Sequence, residues 1–319
     1  MTDAIHDDFE TLTSERLQSL FDASDYVAED EITTTVLLAL KLGRPLLVEG
    51  EPGAGKTELA KVLANGFDTD LVRLQCYEGL AAESALYEWN YTKQLLAVQS
   101  GRDGDEGSVF TEEYLLERPL LRALRNDGER PPVLLIDEVD RADEEFEALL
   151  LEVLSDFQVS IPELGTVATE TTPIVVITSN RTRGLSDALK RRCLYLHVEP
   201  PSFEKERAIV RRKVPELDDA VAAAVCGVTE RLREESLLKP PGVAETLDWA
   251  RALTALDGVP AEETVPADDG IDTPEFGPLL TETDIRTTLG CLLKEVEDVE
   301  RIDDETMSAL LAAAESPRE

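Results

Sequence analysis

A glycine-rich segment near residue 50 contains the residue types that bind phosphate groups. It matches the pattern G-x-x-x-x-G-K-[ST], in which backbone N–H groups surround the phosphates of a nucleotide. The glycines let these groups turn inward without Cβ clashes, and the following helix N-terminus adds partial positive charge. Lys56 would reach the β- and γ-phosphates, and the Thr57 hydroxyl would help to coordinate Mg²⁺. The residues expected to bind the nucleotide are Gly50, Glu51, Pro52, Gly53, Ala54, Gly55, Lys56, Thr57 and Glu58.

The elements on either side of this loop distinguish it from a glycine cluster that only forms a turn. Residues 45–49 predict a short buried strand, and residues 58–64 have the apolar spacing of a helix. The order strand, loop, helix is the context in which the pattern binds nucleotides. We therefore favour a phosphate-binding loop over a simple turn.

A second motif places two carboxylates at the end of an apolar run. Residues 132–136 predict a buried strand, and Asp137 and Glu138 follow it directly. Ligands bind at the carboxyl ends of parallel strands, which is where a magnesium–phosphate site needs acidic groups. We expect Asp137 to hold Mg²⁺, directly or through water. We expect Glu138 to orient and deprotonate the attacking water.

A third polar group follows another apolar run. Residues 173–180 predict a strand that ends in a polar triplet, of which Asn180 is the last residue. An amide beside the other strand ends could hold the attacking water or contact the γ-phosphate. A helix or turn cap is the alternative role for such a residue.

A basic cluster at residues 190–192 stands out in a chain with few cations. A solvated helix end would explain Lys190, Arg191 and Arg192 without any function. The functional interpretation is an arginine finger presented to the nucleotide of a neighbouring subunit, which contributes roughly 10³–10⁵ in rate in other nucleotide hydrolases.

The charge of the chain limits its partners. The 319 residues include 67 acidic and 31 basic ones, which gives a formal net charge of −36. Such a field repels nucleic acid and anionic membrane surfaces. The acidic residues are spread along the whole chain, as in proteins adapted to a salt-rich cytoplasm. An ordinary acidic cytosolic protein is the alternative.

Neither a metal cluster nor a membrane anchor is expected. The four cysteines lie far apart without a C-x-x-C pair, and His6 and His197 are the only histidines, so no zinc-type spacing exists. No secretory pattern begins the chain, and no uncharged apolar run approaches 18 residues. We expect a soluble cytoplasmic protein with free thiols.

The helical pattern differs between the two parts of the chain. Strands and helices alternate up to residue 200, and a hairpin is expected around residues 157–169. A helix is also expected over residues 113–126. The apolar spacing beyond residue 200 predicts helices only, at residues 203–214, 217–234, 243–256, 282–299 and 304–314. Residues 257–280 are rich in Pro, Gly, Asp and Glu and predict a mobile acidic loop.

Together these motifs resemble an AAA+ ATPase. Asp137-Glu138-Val139-Asp140-Arg141-Ala142 is similar to the D-E-[IV]-[DN]-R-A signature of the MoxR-type family. Asp137 follows Lys56 by 81 positions, which leaves room for the insertion of that family in its second core helix. Residues 178–183, 189–196 and 240–250 resemble the branch found beside aerobic carbon monoxide dehydrogenase genes.

The resemblance implies an α/β fold, in which a P-loop AAA+ core with a parallel sheet flanked by helices precedes a smaller all-helical lid. The corresponding domains are an N-terminal extension (1–24), the core (25–200) and the lid (201–319) with the acidic loop (257–280). The resemblance further implies Mg²⁺-dependent ATP hydrolysis at the subunit interfaces of a homo-oligomeric ring, commonly a hexamer. Arg192 is favoured over Arg191 as the finger because Arg192-Cys193-Leu194 aligns with the Arg-Phe-Leu of the family.

The resemblance also implies a cellular role and shows one departure. Members of the family act as remodelling chaperones, often for metal or cofactor insertion into a client metalloenzyme, with a von Willebrand factor A-domain partner. AAA+ lids usually offer a sensor-2 arginine near the start of the third lid helix. This chain has Gly242-Val243-Ala244-Glu245 there, with Lys239 and Arg251 as the nearby cations.

Three other functions share the phosphate loop. A DNA-directed motor or loader needs a basic stripe, whereas this chain has only short basic clusters. A small-molecule kinase would use the carboxylates for an acceptor, but it explains neither the helical segment after residue 200 nor the arginine pair. A GTPase would need a guanine-reading motif of the N-K-x-D type, which the sequence lacks.

Overall fold

The computed structural model describes residues 9–100, 110–126, 128, 130–162, 164–256 and 279–316. Contacts divide the chain into two compact units between Val198 and Glu199. The loop residues Pro52–Gly55 are grouped with the second unit. All but the last two residues of the expected acidic loop, 257–280, lie outside the described residues. Of those two, Leu280 is buried in the second unit.

The centre of the first unit is a sheet of five parallel strands, which confirms the expected fold class. The strand order is β2-β5-β8-β1-β9, and every pairing is parallel. Two antiparallel pairs, β3-β4 and β6-β7, lie outside this sheet. The strands are β1 Leu46–Gly50, β2 Leu71–Gln75, β3 Tyr87–Trp89, β4 Leu115–Glu117, β5 Val133–Asp137, β6 Gln158–Ile161, β7 Gly165–Ala168, β8 Ile174–Ser179 and β9 Leu194–Val198.

Helices cover this sheet, which explains why its central strands are buried and mostly apolar. Every residue of β1 and β5 is buried, as expected of strands packed on both faces. The helices of the first unit are α1 Ser14–Ala23, α2 Asp30–Leu42, α3 Lys56–Gly66, α4 Ala82–Leu86, α5 Tyr91–Ser100, α6 Pro119–Leu124, α7 Glu144–Asp156 and α8 Asp187–Arg192.

The register brings several strand ends to one edge of the sheet. Gln75 pairs with Asp137, Glu49 with Ser179, and Gly50 with Val198. The carboxyl ends of β1, β2, β5 and β8 therefore meet where the three sequence motifs begin. This edge is the carboxyl edge of the sheet, and the opposite edge is its amino edge.

The segment expected to be an N-terminal extension contains a packed helix. Thr13 caps α1 by accepting from Arg16 N, a role that Thr commonly has at a helix start. Leu17 and Phe21 of this helix are fully buried. α1 therefore contributes to the core of the first unit.

The prediction of one continuous helix over residues 113–126 is wrong. A 3₁₀ turn occupies Glu112–Tyr114, and β4 follows it and pairs with β3. A helix begins only at Pro119, whose fixed φ suits a first helical position. The expectation failed because three-residue strands carry too little periodicity to be recognised.

The second unit is helical in all of its described elements beyond residue 198. Its buried core includes Trp249, Leu232, Ile285 and Leu310. The helix expected over residues 282–299 is interrupted, because Leu293 is extended. The helices are α9 Phe203–Lys213, α10 Asp219–Arg233, α11 Val243–Ala255, α12 Glu282–Leu292, α13 Val296–Glu300 and α14 Asp304–Glu315.

A buried ion pair connects three helices of this unit. Arg233 donates from both terminal nitrogens to the carboxylate of Glu206, at 2.6 and 2.7 Å. Glu206 is 1% exposed and also accepts from Thr246 Oγ1 at 2.7 Å. Arg233 Nε donates to Pro241 O at 2.7 Å. Arg233 and Thr246 thus offset the energetic cost of burying the Glu206 carboxylate.

Replacing Arg233 with Ala is expected to lower the free energy of unfolding of the second unit by about 3–5 kcal/mol, because Glu206 would remain buried without its counter-charge. The measurement is urea unfolding followed by the fluorescence of Trp249, which is fully buried in this unit. Arg251→Ala is the control, since its exposed ion pair with Asp248 is worth under about 1 kcal/mol. Equal effects of the two substitutions would contradict this account.

In the described ranges, none of the helices has the length and apolar character that a membrane crossing requires. The four cysteines, Cys76, Cys193, Cys226 and Cys291, are free thiols.

Candidate active site

The phosphate loop connects β1 to α3 and has the backbone conformation that its glycines allow. Gly53 and Gly55 have φ angles of 83° and 86°, which side chains with a Cβ rarely adopt. Gly50 is required for another reason. A Cβ there would lie 2.2 Å from the carbonyl oxygen of Val198 on the neighbouring strand.

Lys56 begins α3 and is buried, with 6% of its surface exposed. Its Nζ donates to the carbonyl oxygens of Gly50, at 2.8 Å, and Glu51, at 2.7 Å. Burial lowers the pKa of the Lys56 ammonium, and the negative charges of Asp140, Asp137 and Glu138 oppose part of that effect. The Lys56 ammonium is thus held against the first residues of the loop.

Asp137 ends β5 and is 3% exposed, with donors on both carboxylate oxygens. Thr178 Oγ1 donates to Oδ1 at 2.5 Å, and Thr57 Oγ1 donates to the same oxygen at 3.1 Å. Arg73 donates to Oδ2 at 2.6 Å. The structure therefore brings the two expected magnesium ligands, Thr57 and Asp137, into contact.

Glu138 leaves the strand in a left-handed conformation, with φ of 56°, which is uncommon for a residue with a Cβ. Its backbone N–H donates to Thr178 Oγ1 at 2.9 Å. Its Oε2 accepts from Gln75 at 3.0 Å and Arg141 at 3.1 Å, and its Oε1 accepts from Asn180 Nδ2 at 3.3 Å. The carboxylate expected to act as base is thus held by three side chains, including the expected Asn180.

Asp140 fixes the segment that carries Asn180. Its carboxylate accepts from the backbone of Asn180 at 3.0 Å and of Thr182 at 2.9 Å, and from the Thr182 hydroxyl at 2.6 Å. Burial alone would raise the pKa of Asp140, but these hydrogen bonds outweigh it and the pKa is lowered. Asp140 therefore stays ionised and connects the ends of β5 and β8.

For the ATP hydrolysis that the sequence motifs predict, replacing Asp140 with Asn is expected to lower kcat roughly 10–100-fold without changing ATP affinity. The amide NH₂ would face the N–H or hydroxyl donors of Thr182, so Asn180 would move relative to Glu138, and small misplacements are costly in rate. Steady-state hydrolysis and fluorescent-nucleotide titration separate the two quantities. Asp143→Asn is the control, because Asp143 caps α7 and Asn caps equally well. Unchanged kcat in Asp140→Asn would refute the positioning role.

Sequence reasoning missed Arg73, Gln75 and Thr178. Arg73 Nη2 donates to both Asp137 Oδ2 and Gln75 Oε1, the second at 2.7 Å. The bond to Gln75 orients its amide NH₂ group toward Glu138. The alternation of buried and exposed residues along β2 places Arg73 and Gln75 on one face. That signal could have indicated their shared orientation. Only the strand order places that face beside β5.

The basic cluster lies at the amino edge of the sheet. α8 ends at Arg192, and β9 begins with Leu194, which pairs with Leu46 at the start of β1. The phosphate loop follows Gly50, four residues further along β1, or about 13 Å away. Arg191 and Arg192 are exposed, and Arg192 Nε donates to Ser155 Oγ at 3.0 Å. The structure does not bring these arginines to Asp137 and Glu138 of the same chain.

The oxygen ligands that Thr57 and Asp137 offer fit Mg²⁺. A hydroxyl and a carboxylate are hard oxygen ligands, and Mg²⁺ commonly binds to one or two protein ligands together with substrate phosphates. No group of three or more His, Cys, Asp or Glu that could hold a metal occurs in the parts of the chain that the structure describes. The arrangement suits a metal that arrives with a nucleotide.

Glu58, the last residue of the expected phosphate-binding set, lies in the first turn of α3. Its Oε2 accepts from Lys61 at 3.2 Å. Its carboxylate also helps to raise the pKa of Tyr26, after the larger effect of burial. The Glu58 carboxylate thus interacts with Lys61 and Tyr26 of the first unit.

The departure at the sensor-2 position has a local structural role in the second unit. Glu245 Oε2 accepts from Gly242 N at 3.0 Å and so caps the start of α11. Arg251 pairs with Asp248 at 3.3 Å, and the backbone N–H of Lys239 donates to Asp298. Glu245 therefore stabilises a helix end where related lids offer an arginine.

Comparison with known proteins agrees with this geometry. Residues 45–193 match the family model for the AAA domain of the dynein-related subfamily. The matched segment includes the phosphate loop, Asp137, Glu138, Asn180 and both arginines. This segment is similar to an AAA domain, and its parallel sheet with flanking helices agrees with the expected fold class.

Individual proteins similar to this chain have low sequence identity to it. An uncharacterized Staphylococcus haemolyticus protein, SH1500, is 27% identical over 73% of this chain and 84% of its own length. Escherichia coli YehL, also uncharacterized, is 30% identical over 55% of this chain and 47% of its own. A mutant of Thermotoga maritima RuvB has 19% identity and a TM-score of 0.42, covering 78% of this chain and 66% of that one. The chain thus spans about half of YehL and just under two thirds of the RuvB structure.

Proposed function

We propose that this chain, whose residues 45–193 match the model of an AAA domain, is an Mg²⁺-dependent ATPase that works as a MoxR-type remodelling chaperone in a homo-oligomeric ring. One observation carries the enzymatic part. Lys56, Thr57, Asp137, Glu138 and Asn180 converge at the carboxyl edge of one parallel sheet, where such folds bind their ligands. ATP is preferred over GTP because the sequence lacks a guanine-reading motif.

Each of these side chains has a role in hydrolysis. Lys56 and the loop amides bind the phosphates, while Thr57 and Asp137 hold Mg²⁺. Bound there, the metal neutralises charge that develops on the phosphate oxygens. Glu138 accepts a proton from the water that attacks the γ-phosphorus, and the bond to the β–γ bridging oxygen breaks to release ADP. Asn180 orients that water beside Glu138.

A neighbouring subunit completes the site in this proposal. Arg192, or alternatively Arg191, lies too far from the loop to reach phosphates in its own chain. Both side chains are exposed at the amino edge of the sheet. That placement supports a finger that acts in trans, and a closed ring, commonly a hexamer, supplies every site with one.

The proposed cellular role rests on two features. One is the MoxR-type signature at residues 137–142, and the other is the β3-β4 pair, which lies between β2 and β5 in the sequence. We infer that the chain acts in the cytoplasm with a von Willebrand factor A-domain protein on a client metalloenzyme, as in the branch associated with aerobic carbon monoxide dehydrogenase. The acidic surface supports work at high salt.

Affinity capture tests this role. The Glu138→Gln chain should hold ATP and retain its client, whereas Lys56→Ala, which cannot bind ATP, is the control. Recovery of an A-domain protein and a metalloenzyme with the first variant alone is expected. Equal recovery with both variants would reject nucleotide-dependent remodelling.

The rival function is a DNA-directed motor. The net charge of −36 opposes binding to a phosphate backbone. Filter binding of duplex and single-stranded DNA, at the salt concentration where ATP turnover is fastest, should show no retention. DNA binding that accelerates ATP hydrolysis would replace the chaperone proposal with the motor.

A further inference from the structure

A single arginine from another element holds the helix end that carries Arg191 and Arg192. Arg44 NH2 donates to Arg191 O at 2.5 Å and to Cys193 O at 3.4 Å, and its Nε donates to Arg192 O at 3.1 Å. The last carbonyls of a helix lack partners within the helix. Arg44 supplies those partners for three consecutive residues.

The position of Arg44 is itself fixed from both sides. It follows Gly43, which ends α2 in a left-handed conformation with φ of 58°. Its own N–H donates to Ala39 O at 3.0 Å, and the next residue, Pro45, accepts from Leu194 N at 2.8 Å. The backbones before β1 and before β9 are therefore joined on both sides of the Arg44 contacts.

These contacts lie at the point where α8 stops and β9 starts. The chain changes from helix at Arg192 to extended backbone at Cys193, with φ of −93° and ψ of 155°. The fork of one planar guanidinium spans this change, which a lysine ammonium could not do with the same geometry. The directions of the Arg191 and Arg192 side chains depend on this backbone.

We propose that Arg44 is the positioning residue of the arginine finger. Its guanidinium donates to the backbone of the segment 191–193 and fixes the direction in which Arg192 leaves the amino edge of the sheet. This inference rests on the proposed function, because it requires Arg192 to act on the nucleotide of a neighbouring subunit. Since a displacement of about 1 Å can cost roughly 100-fold in rate, loss of Arg44 should weaken the finger strongly.

A role confined to stability would predict a different result. Arg130 offers the comparison, because it also donates to backbone carbonyls, those of Phe67 at 2.9 Å and Asp68 at 3.2 Å. It is exposed, lies just before β5 and contacts the turn after α3, and two strands of the sheet separate β5 from β9, which follows the basic cluster. Removing Arg130 should therefore cost a comparable set of hydrogen bonds without disturbing the finger.

Mixed rings separate the finger from the site that it serves. Arg192→Ala subunits retain the phosphate loop and Glu138 but lack a finger, and Glu138→Gln subunits retain the finger but cannot hydrolyse ATP. Phosphate release by an equal mixture should exceed that of either variant alone, because each supplies what the other lacks. Arg44→Ala is then added to the Glu138→Gln chain, and Arg130→Ala is added to a parallel sample.

The expected result is that Arg44→Ala reduces the restored activity at least tenfold, while Arg130→Ala preserves it. Full restoration with Arg44→Ala would overturn the inference and leave the proposed function intact. Failure of the original mixture would reject the trans finger, and the inference with it. Arg44→Lys is measured alongside and should give intermediate activity. Normal melting temperature and ATP affinity show that each variant chain is folded. If Arg44→Ala does not fold, Arg44→Lys takes its place: activity below that of the Arg130→Ala sample supports the inference, and full restoration overturns it.

Discussion

Replacing Glu138 with Gln is expected to abolish ATP turnover while ATP binding persists. Glutamine keeps the size of the side chain and one acceptor for Gln75, Arg141 and Asn180, but it cannot accept a proton from water. Loss of a general base typically costs 10²–10⁴ in rate. Lys56 and Thr57, which bind phosphate and metal in this account, are unchanged. The measurements are phosphate release at saturating ATP and titration with a fluorescent ATP analogue.

Glu144→Gln is the matched control for this prediction, because Glu144 lies in the first turn of the nearby α7 and outside the site. It should turn over at the rate of the unmodified chain. The two melting temperatures should agree within a few degrees, since Gln75 and Arg141 retain an acceptor and the Asn180 amide can turn its oxygen toward the new NH₂ group. Hydrolysis by Glu138→Gln at the normal rate would remove Glu138 from the mechanism.

Replacing Arg192 with Ala is expected to reduce ATP hydrolysis by roughly 10³–10⁵ in the assembled ring, the range associated with arginine fingers. ATP affinity should change little, because Arg192 lies at the amino edge of its own sheet. Within the ranges that the structure describes, its guanidinium donates hydrogen bonds to Ser155 and to the carbonyl of Ala188. Neither partner belongs to the site, so the loss would reflect the neighbouring nucleotide.

Arg191→Ala and Lys190→Ala are the controls for Arg192. Their side chains are exposed in the last turn of the same six-residue helix, so both substitutions remove a positive charge beside the same helix end. A large loss in Arg191→Ala and a small one in Arg192→Ala would transfer the finger to Arg191. Normal hydrolysis by both arginine variants in assembled rings would disprove a trans finger in this cluster.

The strand-end motifs of the site could be located from the sequence because each follows an apolar run. The loop before Lys56, the carboxylates Asp137 and Glu138, and Asn180 all stand directly after such runs. Parallel strands bring these ends to one edge without any knowledge of the strand order. The parallel sheet and its covering helices follow from the same pattern, but its fifth strand, β9, was not predicted.

The supporting residues could not be found in this way. Arg73 and Gln75 contact Asp137 and Glu138 only because β2 is the neighbour of β5, and strand order is a property of the whole sheet. Arg44 reaches α8 across 147 positions of sequence. The β3-β4 pair escaped detection because its strands have three residues each. Long-range contacts decide all of these features, and local periodicity carries no information about them.

The most direct test of the central claim is phosphate release from ATP by the purified full-length chain, without any acceptor, in Mg²⁺ and in excess EDTA. We predict one phosphate and one ADP per ATP consumed with Mg²⁺, and no turnover with EDTA. Stable binding of ATP without phosphate release in assembled rings, or release that persists in EDTA, would contradict the account.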